Sequence, residues 1–114
     1  MPFGLSDATC ATIHAILANY PAISQAVIYG SRAKGNYRPG SDIDLALFGD
    51  GLDTQVLAAV ASDLEDSDIP YTVDLSLWER IDNTALREHI ERVGQVFFRR
   101  EGSEDFQCGI RYSA

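Results

Sequence analysis

Apolar residues recur at helical spacing in three places along the chain, and at alternating spacing in three or four others. Ile13, Ile16 and Leu17 lie on one side of a helix that Ser6 or Asp7 can cap and that runs to about Asn19, with Pro21 ending it. Val56, Leu57, Val60 and Leu64 mark a second helix from Asp53 to about Asp66, and a third runs from Asn83 to Val93, stopped by Gly94. Between them lie Gln25 to Tyr29 (QAVIY), Asp42 to Phe48 (DIDLALF), Thr72 to Leu77 (TVDLSL) and Gln95 to Arg99 (QVFFR), which read as strands. Gly30 closes the first strand, Ser31 to Gly35 can form one or two helical turns, and Asn36 to Ser41 is a turn rich in Gly, Pro and Asn.

Strands alternating with helices in a chain of 114 residues point to one α/β domain of the α+β type. The expected architecture is a small mixed sheet of about four strands with helices packed on it. Residues 1–100 form that domain, and residues 101–114, which show no clear period, are expected to be a tail that orders on a partner.

Hydrophobic residues at 46% and charged residues at 23% fit a globular protein and exclude a disordered one. No apolar run is long enough to span a bilayer, and the first residues lack the basic start and apolar stretch of a signal peptide. Cys10 and Cys108 stand far apart with no metal-binding spacing, and read as free thiols in a reducing cytoplasm, with a structural disulfide the lesser alternative. A net charge of −8 argues against a protein that holds nucleic acid backbone.

The placement of charge says more than its sum. Through residue 79 the only basic residues are Arg32, Lys34 and Arg38, whereas Asp42 to Glu79 carries ten carboxylates and no Lys or Arg. A short basic loop followed at once by acidic residues suits a site where basic groups and a metal share one anionic ligand.

That site is readable in detail. In a strand, Asp42 and Asp44 lie on the same face, about 7 Å apart along the chain, while Ile43 and Leu45 point into the core. Two such carboxylates resist joint ionisation unless a cation sits between them, and an oxygen-only donor set favours magnesium or manganese. Asp74 sits in the same apolar-polar-apolar context on the third strand. If the two strands are neighbours, three carboxylates converge. Aspartate is depleted in strands, so an outward-facing surface role explains these three less well than metal binding does. Upstream, Gly30-Ser31 joins a strand to a helical turn, where Gly30 allows close backbone approach and Ser31 can cap the turn. Free N–H groups at this first turn make an anion site suited to phosphate, with Arg32, Lys34 and Arg38 beside it, and Ser31, the Gly30 region, Arg32 and Lys34 are expected to grip the β- and γ-phosphates of a nucleotide. It is not a Walker loop, because Asn36-Tyr37 stands where Lys and Ser/Thr are needed.

Gly30-Ser31-Arg32-Ala33-Lys34-Gly35 followed by Ser41-Asp42-Ile43-Asp44-Leu45 resembles the signature of the polymerase-β-like nucleotidyltransferases, and most closely the minimal nucleotidyltransferases (MNT) of bacteria and archaea. The resemblance implies that Ser31 binds the triphosphate and that Asp42 and Asp44 hold metal ions. It assigns Asp74 to completing the metal site or activating the acceptor. Lys34 stands where the family more often has arginine, which keeps the charge but loses the planar fork. The resemblance further implies ATP as substrate and a helical HEPN toxin as partner, with this chain as the antitoxin that adenylylates a tyrosine on it. Two other functions fit the sequence: a module that masks its partner by contact and keeps the nucleotide site as a regulator, and transfer to a small molecule such as an aminoglycoside. The chain leaves little room for the added domain that larger relatives use to hold such acceptors, so an oligomer with itself or with a partner is compatible with the reading.

His14, His89, Trp78 and Tyr37 have no partners at catalytic or metal spacing. Packing or surface roles are expected for the two histidines and core or edge cover for Trp78; Tyr37 reads equally as a turn residue or as a rest for a nucleotide base.

Overall fold

A computed structural model describes residues 2–38 and 40–100. The expected tail at 101–114 therefore lies outside the described residues, as does Cys108. Three helices begin on side-chain caps that satisfy otherwise orphaned N–H groups. Ser6 Oγ accepts from Thr9 N at 3.1 Å to open α1 (Asp7–Ala18). Asp53 Oδ1 accepts from Val56 N at 2.9 Å ahead of α3 (Thr54–Asp66), and Asn83 Oδ1 accepts from Leu86 N at 3.0 Å ahead of α4 (Thr84–Val93). A single turn, α2 (Ser31–Lys34), is the fourth α-helix among the described residues.

The strands β1 (Gln25–Tyr29), β2 (Ile43–Phe48), β3 (Val73–Leu77) and β4 (Gln95–Arg99) form one mixed sheet in the order β3-β2-β1-β4. β1 pairs antiparallel with β2 and with β4, while β2 and β3 are parallel. A parallel pair cannot be joined by a hairpin, and α3 supplies the crossover. The predicted elements and the mixed four-stranded sheet are thus present, with boundaries within a residue or so of expectation.

Alternation along the strands divides the core between the two faces of the sheet. Ala26, Ile28, Ile43, Leu45, Leu47 and Leu77 face α1 and α3, where they pack with Ile13, Leu17, Val60 and Leu64. Val27, Tyr29 and Ala46 face the other way and pack against Ile90 of α4. Among the described residues α4 packs on that second face, on which Asp44 and Asp74 also lie.

Two polar side chains, His14 and Arg100, fasten this frame. His14 Nε2 lies 2.7 Å from the Phe97 carbonyl, tying α1 to β4. Arg100 donates to the Ile23 and Tyr20 carbonyls, each at 3.0 Å, securing the exit of α1 and its link to β1. Trp78, in a short 3₁₀ turn after β3, stacks on Phe48 with centroids 5.0 Å apart and carries the Arg87 guanidinium 4.1 Å over its ring. It is packing material, as expected. No helix among the described residues is long and apolar enough to cross a membrane.

Candidate active site

The parallel register sets Asp44 directly opposite Asp74, and the antiparallel register sets Tyr29 on its other side. Sequence alone left the neighbourhood of Asp44 and Asp74 conditional on strand order; the order β3-β2-β1 makes them neighbours. Asp44 is half-buried, while Asp74 and Asp42 are exposed. Burial pushes the Asp44 carboxyl above its ordinary value, and the negative charges of Asp74 and Asp42 push it the same way. Tyr29 is likewise raised, first by burial and then by Asp44 and Asp74, with a hydrogen bond to Ser76 opposing the shift.

Asp42 precedes β2 and has no partner in the register. Among the described residues no set of three or more His, Cys, Asp or Glu side chains is gathered as a ready-made metal cage. The convergence expected of three carboxylates is therefore realised as one facing pair, Asp44 and Asp74, with Asp42 at the rim. This arrangement still fits a hard divalent ion. Magnesium is usually held by one or two carboxylates and completed by water and substrate phosphates, not by an all-protein cage. An acidic pair whose charges oppose each other is also one that a cation stabilises.

Gly30 explains how the pair is set. Its φ of 77° lies in the region that glycine tolerates best, and a Cβ placed there would stand 2.5 Å from Asp44 Oδ2. The close approach that the sequence assigned to a ligand is made, in this structure, by the Asp44 carboxylate. The capping expectation also changes: Gly30 is the N-cap of α2, and Ser31 is its first helical residue.

Ser31 and Lys34 are three residues apart on α2 and share one face of that turn. Lys34 is exposed. Arg32 departs from its expected place among the phosphate-gripping residues, because its position on the turn directs it inward. It is only 3% exposed, and its guanidinium donates twice to the Ser41 carbonyl (3.1 and 2.8 Å) and once to Phe3 O (2.8 Å). Tyr37 and Tyr71 flank it, with ring centroids 5.1 and 4.7 Å away. Arg32 holds the residue before Asp42 in place, and Tyr37 serves as its cover.

Tyr29 is the site residue that sequence reading passed over. The signal available for it was its position: the last residue of β1, next to the Gly-Ser turn, on the face opposite Ala26 and Ile28.

Comparisons with known proteins bear on the fold and the family. The family model described as polymerase beta nucleotidyltransferase matches residues 11–103. No curated protein matches the chain in sequence. Among solved structures, a chain of a toxin–antitoxin complex with AMP-PNP superposes with a TM-score of 0.66 at 23% identity, over 81% of this chain and 74% of that one. A complex of a tri-AMPylated HEPN toxin from Shewanella oneidensis with an MNT antitoxin gives 0.62 at 21% identity, over 85% and 75%. A candidate nucleotidyltransferase from Sulfolobus solfataricus gives 0.52 at 18% identity, over 88% and 95%. At these identities the structural likeness speaks for the fold, and the family match, which spans most of the chain, speaks for descent. The chain belongs to the polymerase β nucleotidyltransferase family.

Proposed function

We propose that the chain moves AMP from ATP onto a protein side chain, a tyrosine of a helical HEPN partner, and thereby acts as that toxin's antitoxin. The observation that carries the nucleotidyl-transfer part is Asp44, backed by Gly30 and faced in register by Asp74, beside the outward face of α2. The choice of acceptor is supported by the fold's likeness to chains in toxin–antitoxin complexes, one with AMP-PNP and one with an AMPylated HEPN toxin.

In the proposed reaction the acceptor oxygen forms a bond to the α-phosphorus while the bond from that phosphorus to the bridging oxygen breaks, releasing pyrophosphate. Asp42 and Asp44, with Asp74, would hold magnesium, which when bound neutralises charge on the attacking and leaving oxygens. Asp74, the exposed member of the pair, would receive the acceptor's hydroxyl proton. Ser31 and Lys34 present a hydroxyl and a cation to the β- and γ-phosphates. Arg32 acts at one remove, by fixing Ser41 and thus the start of β2. Tyr29 closes the floor beside Asp44 and keeps water from that side of the carboxylate.

Intact-protein mass measurement tests this reading. After incubation of the chain with its cognate partner, ATP and magnesium, the partner should gain one or more AMP units, and the Asp42→Asn, Asp44→Asn double variant should add none. An unmodified partner that is nonetheless fully neutralised would replace transfer with masking by contact.

A further inference from the structure

α4 packs on the same face of the sheet as the site, and one of its side chains reaches Tyr29. The ring of His89 meets that of Tyr29 edge-on, with centroids 6.2 Å apart and planes at 82°. Tyr29 is itself the register neighbour of Asp44. The end of α4 is held beside α2, because Gln95, one residue past Gly94, donates its Nε2 to the Ala33 carbonyl at 3.0 Å. Gly94 lets the end of α4 close onto β1: a Cβ there would stand 2.4 Å from Ile90 O and 2.7 Å from Val27 Cγ1.

His89 is half-buried, and Lys34 and Arg92 are both exposed. Burial first, then the positive charges of Arg92 and Lys34, lower the His89 imidazole from its ordinary value. Tyr29 from β1 thus meets the ring, Arg92 stands three residues on along the same helix face, and Lys34 follows Ala33, the residue that Gln95 ties to the end of α4. Their grouping needs explaining in a chain of net charge −8. Like charges raise the local energy unless an anion enters among them. The other arginines on hand are spoken for: Arg32 lies beneath the loop, and Arg87 is bonded to the Trp78 and Ile81 carbonyls.

Resting on the nucleotidyl-transfer reading, we infer that Lys34, His89 and Arg92 form a second wall of the site that binds the pyrophosphate portion of the nucleotide, opposite the Asp44 and Asp74 pair. Lys34 and Arg92 supply charge, and His89 supplies a ring N–H to a phosphate oxygen. The assignment makes α4 part of the substrate site and not only a cover for the sheet. It also separates the two ends of the triphosphate: the α-phosphorus lies by the carboxylates, and the leaving group lies by the cations.

The full chain contains two histidines, which gives an internal control for NMR of the imidazole rings. His14 sits by the Phe97 carbonyl on the other face of the sheet. Inorganic pyrophosphate and ATP, each with magnesium, should shift the His89 signals, AMP should not, and His14 should stay put under all three. Arg92→Ala should weaken pyrophosphate and ATP binding about fivefold and leave AMP binding unchanged, at an unaltered Tm. His89 signals that stay still under saturating ATP, while calorimetry shows ATP bound, would overturn the second wall and leave the transfer reading intact. The transfer reading fails separately, through an unmodified partner, even where pyrophosphate moves His89 as expected.

Discussion

Replacing Asp44 by asparagine should make the metal-free protein more stable, although it removes a residue central to the site. Asp44 faces Asp74 across neighbouring strands. Strands lie about 4.8 Å apart, so the two carboxylates stand on the order of 5–6 Å from each other. At an effective dielectric constant near 20, two like charges at that distance repel by about 3 kcal/mol. Asp74 is exposed, and solvent screening reduces this to about 1 kcal/mol. For a domain of this size that corresponds to a Tm about 4 °C higher in Asp44→Asn. The asparagine amide is nearly isosteric and can donate to Asp74, which adds to the effect. The pH dependence has a definite sign. Because burial and neighbouring charge raise the Asp44 carboxyl in the folded state, the fold favours its protonated form. Wild-type stability from this group is full below the ordinary carboxylate value and is lost as pH rises through the raised one. The advantage of Asp44→Asn should therefore be small near pH 4 and full at pH 7. Thermal melts in EDTA across that range check it. A lower Tm for the variant at pH 7 would refute the reasoning, because Asp44 would then be stabilised by native partners and not strained by its neighbours.

Other substitutions separate the site's parts. Gly30→Ala should cost about 2 kcal/mol from its backbone conformation and should abolish transfer by displacing the Asp44 carboxylate, read by melts and by the partner's mass. Arg32→Ala should lower stability by about 2–4 kcal/mol, because it leaves the Ser41 and Phe3 carbonyls without their donor, and Arg32→Lys should recover only part of it. A denaturant titration in which Arg32→Ala matches wild type would return Arg32 to the surface. Lys34→Ala should weaken ATP binding several-fold in calorimetry at an unchanged Tm, since the side chain is exposed.

Periodicity and caps made the helices and strands legible: Ser6, Asp53 and Asn83 each precede a run of apolar residues at helical spacing, and each caps a helix. Asp42 and Asp44 stood out because aspartate is a poor strand residue flanked here by core positions. Strand order was not legible, since it depends on long-range pairing that no local pattern encodes, and with it went the certainty of Asp74 opposite Asp44. Arg32 was grouped with Lys34 because both are basic and near the Gly-Ser turn. The turn of α2 sends them in different directions, and three residues of spacing from Ser31 is what singles out Lys34. Tyr29 looked like an ordinary strand end, and His89 like an ordinary helix residue, because their partners come from elements distant in sequence.

The account's central claim is that Asp44 and its acidic neighbours form a site for a divalent cation shared with a nucleotide triphosphate. Calorimetric titration of the full chain with ATP, in magnesium and in EDTA, tests it most directly. The account predicts binding at least tenfold tighter with magnesium, because without the ion the carboxylates repel the phosphates. It also predicts that Asp44→Asn loses most of that difference. Equal affinity in magnesium and EDTA for the wild-type chain would contradict it.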